Sequence, residues 1–160
     1  EVVREWDRKV DRALRAGAMA VGAKVFITTI PGYLPLNNNM EMTALYRRNA
    51  ASVVGERNVG QAGHRTGSTD MGDIGHILPA IHPYAAGATG VGHGADYVIE
   101  DYTLAVINPA KAMAMTVIDL LANNAAGAKE IKAEAKLPLT KTAYLKLMRG
   151  LAREEEWEEG

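Results

Sequence analysis

The chain has 160 residues, 18 basic against 19 acidic side chains and a net charge of −1, with 48% hydrophobic and 23% charged residues. That balance fits a soluble globular chain long enough for one ordinary domain, and it argues against the electrostatic footprint of nucleic-acid binding. The absence of cysteine excludes disulfides and thiolate metal sites and accords with a reducing cytoplasm. No signal-peptide pattern is present and no apolar run approaches the ~20 residues of a membrane span, so no membrane partner is expected.

The chain opens on Glu1, inside what the spacing predicts to be a helix already under way. Val3, Trp6, Val10, Leu14, Ala18 and Val21 follow the three-to-four repeat of one buried face. Gly22 ends it, and the β-branched "KVFITTI" (24–30) predicts a strand. "PGYLPLNNN" (31–39) is turn or linker and the best candidate for a domain boundary. A lone amphipathic helix at the start needs something to cover it, so the chain is expected to be a piece of a longer protein.

Asn38, with Glu41 three residues on, predicts a capped helix that Gly55 stops. "HILPAIHPYAAGA" has strand-like patches cut by Pro79 and Pro83, consistent with a short or edge strand. "NPAKAMAMTVIDLLANN" predicts a helix with Asn108 as cap and Pro109 in its first turn. Its methionines are expected to be core filler. A further surface helix follows Thr140, and the acidic end, Glu154 to Glu159, is expected to be a solvated tail. Alternating helices and strands place the chain in the α/β class.

The most unusual stretch is 67–98, where 32 positions hold three histidines, three aspartates and seven glycines. His76 precedes an apolar pair and is expected to be a satisfied, half-buried histidine; His64, in a polar loop, is expected to be exposed. His82 precedes Pro83, which holds it extended, and can line a pocket. His93 lies between Gly92 and Gly94, where bare backbone lets a ligand approach and a neutral imidazole can bind a metal. Asp70 and Asp73 suit the start of a helix, and free N–H groups behind Gly67 suit a substrate carboxylate. "GATGVG" (87–92) has the glycines of a nucleotide loop but lacks its third glycine and an uninterrupted strand before it.

Together "PGYLPL", "GSTDMGDIGHILPAIHPY", "GHGADYV" and "PAKAMAMTVIDLL" resemble the C-terminal half of the zinc-dependent aminoacylase and carboxypeptidase family, within it the branch of p-aminobenzoyl-glutamate hydrolase and aminoacylase-like amidohydrolases. The likeness runs through about residues 1 to 122. It implies an α/β fold: the C-terminal part of a zinc-peptidase-like catalytic domain (31–126), preceded by the last helix and strand of a ferredoxin-like lid, or dimerisation, domain (1–30). Residues 127–160 would be a C-terminal helical extension. It also implies that His93 is a metal ligand, and that Gly67, Ser68, Thr69, Asp70 and His82 line the substrate pocket.

What the resemblance implies about chemistry is a hydrolase with two zinc ions per active site, manganese or cobalt being alternatives. Its substrates would be small amides: N-acyl amino acids, dipeptides or aminobenzoyl-glutamate-like compounds. The family's His-x-Asp pair, bridging aspartate and paired glutamates fall outside this chain, and one imidazole cannot hold a catalytic zinc that takes three protein ligands. The chain alone is therefore expected to be inactive, a homodimer being completed only with the missing N-terminal half. The alternative is a non-catalytic partner or regulatory domain that keeps the hydrolase half-fold.

Overall fold

The computed structural model describes residues 2–61, 63 and 67–158, the first three by backbone alone; His64 lies outside the described residues. The elements in order are α1 (Val2–Ala20), β1 (Val25–Thr29), α2 (Met40–Val54), α3 (Met71–Ile77), β2 (Ala88–Thr89), β3 (Val98–Ile99), α4 (Asn108–Glu134), α5 (Lys141–Leu151) and β4 (Arg153–Trp157). The chain divides into two compact units, 1–32 with 141–160, and 33–140. The first boundary falls inside the proline-rich linker. The second separates 127–140, which stays with the body that contains α4, from α5 and β4, which join α1 and β1 in place of a separate extension.

In the discontinuous unit, β1 pairs antiparallel with β4, Val25 opposite Trp157 and Thr29 opposite Arg153. The expected solvated tail is thus a strand. Its residues alternate: Arg153, Glu155 and Trp157 share a face with Val25, Ile27 and Thr29, and Ile27 is buried. Arg153 donates to Asp7 at 3.1 Å and to the buried Asp11, while Glu155 accepts from Arg8 at 3.0 Å and from Arg15. Partial desolvation pushes the Asp7 carboxyl upward, but the bonds from Arg153 and the Arg8 backbone outweigh it and hold the group below its ordinary value. The Asp11 carboxylate in turn raises Arg153.

The consequence for α1 is an inversion of the expected burial. Its charged side engages β4, and the apolar stripe of Trp6, Val10 and Leu14 is about half exposed. Phe26 and Ile30 are likewise exposed, at 69% and 81%.

In the other unit α2 packs on α4 through a polar contact. Asn49, buried, donates to Thr116 Oγ1 at 3.1 Å and to Asp119 Oδ2 at 2.8 Å, beside the fully covered Ala112. The α2 cap is Asn39, whose side chain accepts from Met42 N; Asn38 is used elsewhere, and Gly55 at φ 86° ends the helix as expected. The chain also enters α4 earlier than predicted. Asp101 accepts from Leu104 N at 2.9 Å, and Thr103–Ile107 forms a wide helical turn in which Asn108 N reaches back to Thr103 O. Pro109 has no N–H to give, and its ring crowds the carbonyl four residues back, which accounts for the widening.

By length and composition alone Thr103–Glu134 would pass for a membrane span, an 18-residue window of it reaching a mean hydropathy of 1.5, which corrects the expectation that no run came near that length. The segment is not one straight helix: Ala122 is extended and Asn123, Asn124 and Ala125 are left-handed.

The chain exposes 11800 Å². Two independently folded bodies of these lengths would expose roughly 9,000 Å² together. Among the described residues only Ile27 and Ala112 are buried hydrophobics, so most of the apolar faces predicted to be core are uncovered.

Candidate functional site

All six residues singled out by the sequence lie in the unit 33–140. Segment 34–39 is the frame that holds α3 and residues 80–82, replacing ordinary core packing with backbone contacts. Asp73, buried in the first turn of α3, accepts from Leu34 N at 2.8 Å. A Cβ on Gly72 would fall on the Leu34 carbonyl oxygen, and one on Gly75 would come within 2.5 Å of Asn37 O. Only glycine permits so close an approach of helix to chain. Asn37 closes the contact by donating to Gly75 O at 2.8 Å.

With two glycines in seven residues α3 has poor intrinsic helix propensity, and this tertiary clamp supplies what propensity lacks. The helix begins where Asp70 and Asp73 predict one and runs on through His76 and Ile77, the first residues of the expected strand-like patch; Pro79 follows its end. His76 is satisfied: its Nδ1 is 2.8 Å from Gly72 O, and its carbonyl accepts from Leu139 N.

Gly67 and Ser68 are exposed on the approach to α3, Thr69 is half-buried and Asp70 is exposed. Thr69 Oγ1 donates to Asp70 Oδ1 at 3.1 Å, and the Asp70 side chain makes no capping bond of its own. Its carboxylate is left facing outward while its carbonyl accepts from Asp73 N and Ile74 N.

His82 is anchored by a different arm of the same frame. Asn38 Oδ1 accepts from His82 N at 3.1 Å, and Asn39 N donates to Ala80 O at 2.8 Å, so residues 80–82 run beside 38–39. The imidazole lies 5.1 Å from the Tyr84 ring, tilted by 45°, and its Nδ1 is sealed from solvent without a hydrogen-bond partner.

His93 is exposed on the loop joining β2 to β3, whose register sets Ala88 opposite Ile99. Its φ of 67° is left-handed, a conformation that costs a side-chain-bearing residue energy and that clusters at functional positions. Gly90, also left-handed, lies so close to the backbone of Asp96 that a Cβ would collide there, and Gly94 N donates to Val91 O at 2.7 Å. The loop therefore presents the imidazole on a tightly folded backbone.

No hydrogen bond or ring contact among the described residues joins the 67–70 segment, His82 and His93 to one another. No group of three or more histidine, aspartate or glutamate side chains able to hold a metal occurs among those residues. The donor set in this chain does not by itself fit a zinc centre, because one exposed imidazole supplies one of the ligands required. A cleft of about 320 Å³ opens between the start of α2 and the end of α4, lined by residues that include Asn38, Glu41, Pro79 and Glu134, and none of the six candidates lines it.

The asparagine triplet is what sequence reasoning undervalued. It reads as turn with Asn38 as a helix cap, yet Asn37, Asn38 and Asn39 each hold a different segment. Three consecutive amide side chains, each able to donate and accept, were the available signal.

The class that comparison supports is peptidase or amide hydrolase, and no finer one. The chain is similar to a Xaa-Arg dipeptidase of Mus musculus, 29% identical over a 122-residue alignment that covers 71% of this chain and 28% of that protein. It thus spans little more than a quarter of that relative's length. No family model matches the chain, and no solved structure does.

Proposed function

We propose that the chain is the C-terminal part of a metal-dependent amidohydrolase that cleaves the amide bond of small substrates, dipeptides ending in a basic residue foremost. The similarity to a Xaa-Arg dipeptidase carries this reading, and the name of that relative supplies the substrate class. The uncovered apolar surface supports it too: 11800 Å² for 160 residues leaves faces that further chain would cover.

On this reading 1–30 derives from a lid through which the intact enzyme forms a homodimer, and 33–140 contributes half of a zinc-peptidase-like catalytic domain. His93 would be one ligand of a zinc ion, and the metal would supply the Lewis acidity such hydrolysis uses. Gly67, Ser68, Thr69 and Asp70 border the scissile-bond pocket with His82, and the cytoplasm is the working compartment. The missing half supplies the other ligands and the general base.

The shortfall in metal ligands among the described residues equally suits a non-catalytic partner that keeps the half-fold. The coding sequence upstream separates the two: a His-x-Asp pair and adjacent glutamates there support the hydrolase, and a start codon at Glu1 supports the partner. Assayed with zinc and Xaa-Arg dipeptides, the 160-residue chain is expected to be inactive and the longer protein active. Turnover by the short chain alone would overturn the shared-site reading.

A further inference from the structure

We infer that His82 is a one-sided hydrogen-bond donor, locked with its proton on Nε2, that offers this N–H to an acceptor oxygen of the substrate and does not bind the metal. The inference rests on the hydrolase reading only for the word substrate; the tautomer follows from the geometry of the chain itself.

A neutral imidazole carries one N–H and one lone pair, and the surroundings of each nitrogen decide which is which. Nδ1 of His82 is sealed from solvent and has neither donor nor acceptor within reach. Burying a hydrogen there would strand an N–H, the kind of orphan that native structures avoid most strictly; a stranded lone pair is better tolerated. Nε2 is not among the sealed atoms, and no hydrogen bond among the described residues occupies it, so a proton there meets solvent or ligand. The ring has little freedom to escape the choice. The Asn38 side chain holds the His82 backbone at 3.1 Å, Pro83 restricts the residue before it, and Tyr84 lies against the ring at 5.1 Å.

The same geometry argues against ligation. A histidine that binds metal through one nitrogen almost always donates the other N–H to a carboxylate, a carbonyl or water. If Nε2 of His82 took a metal, the proton would move to Nδ1, where nothing accepts it. His93, on an exposed loop with no such sealed nitrogen, carries no such penalty. The two imidazoles therefore divide the work, His93 toward a cation and His82 toward an acceptor oxygen.

Nitrogen-15 NMR of the histidine rings in the 160-residue chain at neutral pH tests the assignment. Nδ1 of His82 is expected at a lone-pair shift and Nε2 at a protonated shift, both unmoved by zinc. Acetate, the smallest carboxylate probe, is expected to shift the Nε2 proton downfield. In a His82→Phe chain, which keeps a ring beside Tyr84, acetate should leave the neighbouring amides unmoved. A proton on Nδ1, a zinc-shifted His82 Nε2, or an acetate response unchanged in His82→Phe would overturn it. In the longer protein, which supplies the other ligands, a His93 ring indifferent to zinc would instead strike the metal reading and leave the tautomer standing.

Discussion

Arg153 donates through Nη1 to Asp7 at 3.1 Å and through Nη2 to Asp11, so that β4, expected to be a solvated tail, is fastened to α1 by charge. Asp7 is held below its ordinary value of 3.8 in the folded chain. Its contribution is therefore complete above that value and is lost as pH falls through the lower folded value. Acid titration followed by Trp157 fluorescence should show β4 loosening below pH 3.8, with Asp7→Asn shallower in that window. Arg153→Met should loosen β4 at neutral pH, because it leaves Asp11 buried and unpaired. An unchanged titration in Asp7→Asn would show that the carboxylate does not hold the strand.

The clamp at Gly72 gives a sharper contrast. Gly72→Ala should cost about 3 kcal/mol, since the new methyl meets backbone that is itself held by Asp73. Gly67→Ala, with open space around it, should stay within about 0.5 kcal/mol of the parent. Urea midpoints measure both, and equal midpoints would mean that α3 does not rest on residues 34–37.

Stability and ligand binding should move in opposite directions at position 93. His93→Gly relieves a left-handed φ and is expected to gain about 1 kcal/mol in the absence of metal. The same change should abolish any stabilisation by zinc seen in the parent. Thermal melts with and without zinc report both effects; a less stable variant would contradict the strained-loop description.

Ala125 offers a control for strain away from the candidate site. Its φ of 58° lies in a left-handed turn with Asn123 and Asn124, which tolerate that conformation better than alanine does. Ala125→Gly should stabilise by about 1 kcal/mol, and the midpoint of thermal unfolding should rise.

At the α2–α4 contact, Asn49→Ala removes the donor to Thr116 and Asp119 and should cost about 2 kcal/mol. Because those partners sit in one network, Asn49→Ala and Thr116→Ala are expected to be less than additive in a double-mutant cycle.

How far the sequence disclosed these features depended on the range of the forces involved. Local signals served well: the period of α1, the β-branched run of β1 and Gly55 as a stop all agree with the structure. The strand at Arg153–Trp157 was hidden because its alternation is charged, and the complementary charges lie on a helix more than 140 residues away. The start of α3 was legible in Asp70 and Asp73, but its run to Ile77 was not, because its glycines lower propensity and are explained only by the distant carbonyls of Leu34 and Asn37. At the candidate site, glycine flanks marked His93 as conformationally special, whereas the sealed nitrogen of His82 has no sequence signature.

The split of one unit between residues 1–32 and 141–160 also has a temporal meaning. During translation β1 leaves the ribosome on the order of ten seconds before the strand that pairs with it has been synthesised. In that interval Val25–Thr29 offers two open edges, and a holdase that shields a nascent edge would act at this step. Assembly of this unit therefore waits on the end of synthesis: the flank made first pairs only when the flank made last arrives.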